Sequence, residues 1–278
     1  MGNLIWLASF PKSGNTWLRA FLHNLLLNPD KPIYINDLDT FCLGESALSH
    51  FKKFDPRPYT EYTEQDVAKL RPQVHRKFTT ASPDSVFVKT HNALLVDHGL
   101  PVITLEVTAG TIYVMRNPLD VTISLAHHLA IPIEGAIRSM ALPGTRTKNS
   151  EKFVYELRGS WSQHVASWTA RPHPALHVVR YEDMIERPEQ TFAGVARFLG
   201  LNPPRARLLS AINMASFPVL KEQERQHGFR EKPDHAEAFF REGKAGQWKT
   251  KLAREQVAAV VRIHRQQMTR FGYVPPGF

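Results

Sequence analysis

The start of the chain carries the feature that most restricts its fold: an apolar run, a short polar loop and a long segment with helical periodicity. Residues 4–9 read Leu-Ile-Trp-Leu-Ala-Ser, which is typical of a short buried strand. A Pro-Lys-Ser-Gly-Asn loop follows, and residues 16–27 carry apolar side chains at the spacing of an amphipathic helix. This order predicts the first unit of an α/β fold, in which a strand leads directly into a helix.

The rest of the chain alternates short apolar segments with helical patterns. Further strands are predicted at residues 85–90, 111–115 and 176–180. Further helices are predicted from a capping box at Thr63 and Asp66, and at residues 118–129, 152–169, 188–199 and 254–270. This alternation predicts an α/β fold with a central parallel β-sheet flanked by helices. No repeat or linker is visible, so we predict a single domain over residues 1–278.

Two stretches and one proline are predicted to interrupt this pattern. Residues 28–60 are rich in proline and aromatic side chains and are expected to be irregular. Residues 130–150 contain two prolines and two glycines and are expected to form a flexible or lid-like stretch. Pro72 is expected to interrupt or end the helix that begins near Thr63, because proline lacks the amide N–H of a helical hydrogen bond.

Composition excludes several classes of protein. The 278 residues are 42% hydrophobic and 22% charged, as in ordinary globular domains. Cys42 is the only cysteine, so the chain cannot form an intrachain disulfide or a cysteine zinc finger. No window approaches the roughly 20 apolar residues of a membrane-spanning helix. We therefore expect a cytoplasmic protein that does not bind membranes.

The net charge of +9 favours an anionic partner. The chain has no block of five like charges and no basic segment with interleaved aromatic residues. A dedicated nucleic-acid-binding surface is therefore not expected, and a small anionic ligand fits better.

The loop at residues 11–17 has the composition of a phosphate-binding loop. It lies between a strand and a helix N-terminus, where backbone N–H groups and the helix dipole favour anions. Lys12 adds a full positive charge, Ser13 and Thr16 add hydroxyl groups, and Gly14 allows the backbone to approach a ligand closely. The loop differs from the Gly-x-x-x-x-Gly-Lys-Ser/Thr motif, and an ordinary helix start is the alternative interpretation.

Arg116 and Ser124 are candidates for a second anion contact. Arg116 ends a predicted strand and Ser124 lies on the helix that follows, at the same edge of the sheet as the first loop. A guanidinium can bind phosphate through two parallel hydrogen bonds. Asn117 and Pro118 are typical of a helix start, and together with Asp120 they are interpreted as structural.

Lys89 and His91 close another predicted strand. Their spacing places both side chains on the same side of that strand. A cation beside an imidazole at the sheet edge suits a base that works next to an anion. Near the C-terminus, residues 241–249 combine two glycines with three cations, which is typical of a loop that surrounds an anion or of a basic surface turn.

Taken together, these segments resemble, in order, the motifs of the cytosolic-type sulfotransferase family, whose members use 3′-phosphoadenosine 5′-phosphosulfate (PAPS) as donor. The resemblance covers nearly the whole chain. The matching segments are Pro11-Lys12-Ser13-Gly14-Asn15-Thr16-Trp17, Lys89-Thr90-His91, Arg116 with Ser124, Tyr181-Glu182-Asp183, Ser216-Phe217, and Arg241 to Lys249.

The resemblance implies a single α/β domain related to P-loop NTPases, PAPS as donor, 3′,5′-adenosine bisphosphate (PAP) as product, and no metal. It implies that His91 is the general base, that Lys12 stabilises the leaving oxygen, and that Lys89 contacts the sulfuryl oxygens. The residues implied to bind the nucleotide are Lys12, Ser13, Gly14, Asn15, Thr16, Trp17, Arg116, Ser124, Tyr181, Ser216, Phe217, Arg241 and Gly243.

The chain departs from the family pattern at several positions. Asn15 stands where threonine is common, Glu242 stands where the family has lysine, and Gln247 replaces aspartate. The dimer motif of animal members is absent after Trp248, so the oligomeric state stays open. The expected acceptor is a small-molecule hydroxyl compound, bound by residues 33–59 and 130–150. Aromatic and apolar side chains there favour an apolar acceptor, whereas the basic ones would suit an acidic acceptor.

Two alternatives remain at this level. A P-loop-like kinase would share the fold, with Glu182 and Asp183 holding Mg²⁺ beside ATP. A non-catalytic binder of RNA or anionic lipid is suggested by net charge alone.

Overall fold

The computed structural model describes residues 2–278. Within these residues the chain forms two compact units. The first unit comprises residues 2–10, 42–113 and 139–178, and the second comprises residues 11–41, 114–138 and 179–278. That these units belong to the single domain predicted over residues 1–278 stays a prediction. The fold class is α/β with a central parallel sheet flanked by helices, as predicted.

Five strands form the central sheet in the order β2-β3-β1-β6-β7, and β4 pairs with β5 in a separate antiparallel ribbon. Strands β1 and β3 are parallel, with Leu4 opposite Val86 and Ala8 opposite Thr90. Strand β1 is buried along nearly its whole length, which explains its continuous apolar sequence. The strands are β1 (Leu4–Ser9), β2 (Leu43–Gly44), β3 (Val86–Thr90), β4 (Val96–Asp97), β5 (Leu100–Pro101), β6 (Thr108–Met115) and β7 (Leu176–Arg180).

Thirteen α-helices occur among residues 2–278, and several match their predicted bounds. Asn117 caps α5 by accepting a hydrogen bond from the Leu119 amide, with Pro118 in the first turn. The helices are α1 (Asn15–Leu27), α2 (Leu38–Phe41), α3 (Leu48–Phe51), α4 (Glu64–Phe78), α5 (Pro118–Leu129), α6 (Ile133–Ala141), α7 (Trp161–Thr169), α8 (Tyr181–Glu186), α9 (Pro188–Phe198), α10 (Arg205–Met214), α11 (Phe217–His227), α12 (Trp248–Lys251) and α13 (Arg254–Arg270).

Helix α4 corrects one prediction. The capping box at Thr63 and Asp66 is present, but the helix does not stop at Pro72 and runs on to Phe78. The residues around the proline are held by burial, because Val74 and the aliphatic part of Arg71 are almost completely inaccessible. Tertiary packing therefore compensates for the backbone hydrogen bond that the proline removes.

The stretch 130–150, predicted to be flexible or lid-like, contains helix α6. One further prediction was wrong. The predicted helix at 152–169 is helical only from Trp161. Residues 152–160 are not helical, and two isolated antiparallel bridges involve this segment, Ala47 with Phe153 and Arg146 with Leu157. Within residues 2–278, no helix is both long and apolar enough to cross a membrane.

Candidate functional site

The loop that precedes α1 has the backbone of an anion-binding cradle. Lys12 and Gly14 both adopt the left-handed conformation, with φ of 67° and 106°. A Cβ atom at position 14 would lie 2.6 Å from Cδ2 of Tyr181, so only glycine fits there. The first turn of α1 contains no acidic residue and its N-cap uses no side chain. The positive end of the helix dipole therefore faces this loop without a neutralising carboxylate.

Several buried polar atoms around this loop have no protein partner among the described residues. They are Oγ of Ser13, Nε1 of Trp17 and Nε of Arg116. Ser13 is 1% exposed and Arg116 is 7% exposed. Since buried polar groups are almost always hydrogen-bonded, three such atoms around one loop fit a phosphate-bearing ligand that accepts hydrogen bonds.

Arg116 connects three parts of the second unit. Its Nη1 donates to the carbonyl oxygen of Lys12 at 3.2 Å, and its Nη2 donates to that of Lys244 at 3.1 Å. Its guanidinium carbon lies 4.3 Å from the ring centroid of Tyr181, a cation–π distance. The Tyr181 ring in turn meets the edge of Trp17 at 5.9 Å between centroids. The structure thus brings together residues from four of the predicted motifs.

The C-terminal loop at residues 241–248 is also part of the second unit. Gly243 and Gly246 both have positive φ, 62° and 76°. A Cβ atom at position 243 would lie 2.3 Å from the ring of Phe217, so this ring packs directly on the loop backbone. Ser216 is the N-cap residue of α11, immediately before Phe217. Glu242 forms an ion pair with Lys251, so its carboxylate is directed to a lysine of this chain.

Positive charge converges on this part of the second unit. Burial lowers the pKa of Arg241; the neighbouring Glu242 carboxylate opposes this, and the charge of Arg116 lowers the pKa further by a smaller amount. The pKa of His127 is lowered by burial and then by Arg241 and Lys12. These mutual effects place the cations near one another, which favours an anionic ligand.

The remaining predicted nucleotide residues are placed as follows. Ser124 lies on α5 with a half-buried side chain. Asn15 and Thr16 begin α1 and are both buried. The Thr16 hydroxyl oxygen accepts a hydrogen bond from Arg19 at 3.3 Å, so this hydroxyl also serves the helix itself.

The first unit contains the candidate base. Nδ1 of His91 lies 2.8 Å from the carbonyl oxygen of Ser9 and 3.3 Å from its hydroxyl. Because a carbonyl oxygen only accepts, Nδ1 carries the proton and Nε2 carries the lone pair. Burial and the charge of Lys89 lower the pKa of His91 to about 4, against its ordinary 6.5. The imidazole is therefore neutral at pH 7 and able to accept a proton.

His164 holds the main chain of His91 and was missed in the sequence. Its Nε2 donates to the His91 carbonyl oxygen at 3.2 Å, and its Nδ1 accepts from the Tyr113 hydroxyl at 2.8 Å. Burial lowers the pKa of His164 to about 3, which keeps the ring neutral. Nothing in its local sequence distinguishes it from the other histidines, because both contacts come from distant segments.

An ion pair of Glu156 and Arg158 lies near these histidines. Burial alone would raise the pKa of Glu156, but Arg158 and His91 outweigh it and the pKa falls to about 2. The Ser46 hydroxyl donates to Glu156 at 2.8 Å. This pair was not identified from the sequence, because both residues were assigned to a helix that in fact begins only at Trp161.

Two residues of the predicted acceptor region belong to the core instead. Phe51 and Met140 are completely inaccessible, so they do not line a binding surface, whereas Phe54 is 39% exposed. Glu182, which the kinase alternative assigned to Mg²⁺, already accepts two hydrogen bonds within the protein. They come from the Asn117 amide at 2.9 Å and from the Tyr273 hydroxyl at 2.8 Å. Among residues 2–278, no group of three or more histidine, cysteine or acidic side chains is arranged to hold a metal ion.

Comparisons with known proteins agree on one family. Residues 3–272 match the family model described as "Sulfotransferase domain". Sulfotransferase 1B1 of Canis lupus familiaris is 29% identical over 274 residues, covering 95% of this chain and 83% of that protein. Sulfotransferase 2A2 of Mus musculus is 25% identical over 275 residues, covering 97% and 84%.

Solved structures have the same fold at lower identity. A retinol dehydratase in complex with androsterone and PAP is 20% identical, with a TM-score of 0.66, covering 95% of this chain and 80% of that chain. Mouse sulfotransferase SULT7A1 in complex with PAP is 19% identical, with a TM-score of 0.62, covering 96% and 85%. At these identities the likeness shows the fold.

Proposed function

The chain belongs to the sulfotransferase domain family, a family of transferase enzymes, and on that premise we propose that it transfers the sulfuryl group of PAPS to a hydroxyl group of a small-molecule acceptor. The observation that carries the choice of donor is the cradle at residues 11–17. Around it, the Ser13 hydroxyl, Nε1 of Trp17 and Nε of Arg116 are buried and have no partner within residues 2–278. Similar solved structures contain PAP, the product of such a donor.

The nucleotide is assigned to the second unit. Residues 12–16 bind the 5′-phosphosulfate at the start of α1, where backbone amides and the helix dipole favour anions. Trp17 and Tyr181 flank the adenine. Arg116, Ser124 and Arg241 bind the 3′-phosphate, together with the backbone of Gly243 and the Ser216-Phe217 segment. Convergent cations and two glycine-dependent close approaches support this assignment.

His91 is the proposed general base. The acceptor O–H proton passes to Nε2 of His91, the acceptor oxygen forms a bond to sulfur, and the bond between sulfur and the bridging oxygen breaks. The electrons of the broken bond remain on the 5′-phosphate of PAP, where Lys12 stabilises the charge. Lys89 stabilises the sulfuryl oxygens. This loose, in-line transfer depends chiefly on positioning and charge, so it requires no metal step here.

The lowered pKa of His91 suits the resting enzyme. Without a ligand the imidazole is held neutral by burial and Lys89, so it does not need to lose a proton first. An anionic donor near the ring favours the imidazolium form, so its pKa should rise when PAPS binds. His91 is therefore a stronger base in the complex with PAPS, which is the state in which it accepts the acceptor's proton.

The acceptor is proposed to be an apolar or aromatic alcohol or phenol. Androsterone and retinol are the small molecules named in similar structures, and both are apolar hydroxyl compounds. Exposed Phe54 and half-buried Phe41 in the first predicted acceptor segment are consistent with such a ligand.

Ligand-dependent thermal unfolding tests the donor class. We expect PAP to raise the unfolding temperature without metal, and ADP or ATP to do so far less at equal concentration. A ligand at 100 times its dissociation constant adds about 2.7 kcal/mol to the free energy of unfolding, which is a measurable shift. Stabilisation by ATP and not by PAP would contradict the proposal. A positive result leads directly to an acceptor screen with PAPS.

A further inference from the structure

Asp120 joins helix α5 to the C-terminal loop through both of its carboxylate oxygens. Oδ2 accepts a hydrogen bond from the Gly246 amide at 2.6 Å, and Oδ1 accepts one from the Trp248 amide at 3.0 Å. The side chain is 2% exposed. Its position in the first turn of α5 suits a carboxylate, because the helix dipole is positive there.

The loop that Asp120 holds has little structure of its own. Residues 241–247 contain no regular secondary structure. Beyond Asp120, the loop is fixed by Arg116, which donates to the Lys244 carbonyl oxygen at 3.1 Å, and by the Phe217 ring against Gly243. The segment at 116–120 therefore holds the loop at three backbone groups: one carbonyl oxygen and two amides.

We propose that Asp120 is a positioning residue that sets the selectivity for the donor's 3′-phosphate, by fixing the loop that carries Arg241 and Gly243. The proposal rests on the proposed function, because it concerns the same nucleotide site. In Asp120→Asn the side chain keeps one acceptor oxygen and gains an NH2 group, so either the Gly246 amide or the Trp248 amide loses its acceptor and faces a second donor, and the loop is released. The cradle at residues 11–17 is held by other contacts, so binding of the 5′ end should persist.

The effect of Asp120→Asn on nucleotide affinity has opposite signs for a positioning role and for a purely electrostatic role. Asp120 is an anion in the unit where Lys12, Arg116 and Arg241 gather. If charge alone mattered, Asp120→Asn would tighten the binding of an anionic nucleotide. If positioning matters, the same change weakens it, because a charge-assisted contact to the 3′-phosphate is lost. Such contacts are worth roughly tenfold or more in affinity.

Calorimetric titration with PAP and AMP tests the proposal, since AMP lacks only the 3′-phosphate. We expect Asp120→Asn to weaken PAP binding at least tenfold and to change AMP binding less than threefold. Asp97→Asn is the matched control: Asp97 is also buried, at 5% exposure, and accepts hydrogen bonds from Arg146 and Tyr155 in the first unit. This control should leave the ratio of the two affinities unchanged.

The outcomes separate this inference from the proposed function. If the wild-type chain binds PAP no tighter than AMP, the proposed function fails. If the wild type prefers PAP and Asp120→Asn keeps or increases that preference, the role of Asp120 is overturned. Hydrogen exchange on the wild-type chain needs no variant: we expect protected amides at Gly246 and Trp248, and exchange at the rate of an open loop would overturn the inference.

Discussion

Nδ1 of His91 lies 2.8 Å from the carbonyl oxygen of Ser9, and this contact determines which ring nitrogen can act as a base. The proton stays on Nδ1, so Nε2 carries the lone pair. His164 donates to the carbonyl oxygen of the same residue at 3.2 Å. Both the ring and the main chain of His91 are thus held in place, as a positioned base requires.

Replacing His91 with alanine should abolish transfer and leave nucleotide binding nearly unchanged. Removal of a general base typically lowers the rate about 10²- to 10⁴-fold. Turnover with PAPS and calorimetric PAP binding should be measured on the same preparation. His98→Ala is the control, because His98 belongs to the same unit and lies beside the carboxylates of Glu64 and Asp97, away from the contacts described for His91. Residual turnover within tenfold of the wild type would remove His91 from the role of base.

The pH dependence of kcat/KM should reflect the lowered pKa of His91. Since the neutral ring is the active form and its pKa is about 4, activity should stay level between pH 8 and 6 and fall only as the pH approaches 4. Lys89 contributes to this lowering, so Lys89→Met should move the fall toward higher pH. An inflection near pH 6.5 in the wild type, unchanged in Lys89→Met, would contradict this assignment.

Replacing Arg116 with alanine should weaken PAP binding more than tenfold and AMP binding much less. The guanidinium is proposed to bind the 3′-phosphate and also contacts the Lys12 and Lys244 carbonyl oxygens. Arg180→Ala is a matched control, because Arg180 also lies over a tyrosine, 4.7 Å from the Tyr273 ring centroid. Equal losses for PAP and AMP in Arg116→Ala would exclude a specific 3′-phosphate contact.

Glu242→Lys should tighten PAP binding several-fold at low salt. Glu242 stands in the loop beside Arg241, and its carboxylate is paired with Lys251. The change replaces a negative charge with a positive one near the proposed 3′-phosphate site, and the gain should shrink at 0.5 M salt because exposed charges are screened. Glu222→Lys, at an exposed position of α11, is the control for net charge. A gain as large in Glu222→Lys would assign the effect to net charge alone.

His264 should make the protein lose stability in acid. Burial lowers its pKa to about 4, and it is 1% exposed. The unfolded chain therefore binds a proton more readily below about pH 6.5, and the stability present above that pH is lost as the pH falls toward 4. Between pH 6 and 5 this residue should account for about 1 kcal/mol.

Urea unfolding of His264→Leu at pH 7, 6 and 5 provides the measurement. The variant should show a smaller loss of unfolding free energy from pH 6 to 5 than the wild type, whatever its stability at pH 7. Replacement of the exposed His173 should leave the pH dependence unchanged. Parallel pH curves for His264→Leu and the wild type would contradict the prediction.

The sequence predicted those parts of the fold that depend on local signals. Helix α5 begins where Asn117 and Pro118 indicate, because a cap and a helix-starting proline act on adjacent residues. The strand, glycine loop and helix at residues 4–27 were predictable for the same reason, because they follow one another directly. That this loop binds phosphate stays a prediction.

Other features depend on contacts between distant segments. The segment before Trp161 is not helical because it pairs with residues far away, as in the bridge of Ala47 with Phe153. The Leu157 amide also donates to the Asn92 side chain at 2.6 Å. Ala47 and Asn92 are both more than 60 residues away in the sequence, so a periodicity pattern read over a few consecutive turns cannot include them. The Glu156–Arg158 pair and the role of His164 could not be predicted for the same reason.

The close approach of Gly14 to Tyr181 has a consequence for how related chains can vary. The tyrosine ring occupies the volume that a side chain at position 14 would need, since a Cβ atom there would lie 2.6 Å from Cδ2. Any side chain at position 14 therefore meets the tyrosine ring. A smaller residue at position 181 would remove this clash, but alanine at position 14 would still be strained, because φ there is 106°. The smaller residue would also remove the ring on which Arg116 rests. Position 14 should therefore stay glycine among homologues, and a smaller residue at position 181 should not rescue Gly14→Ala.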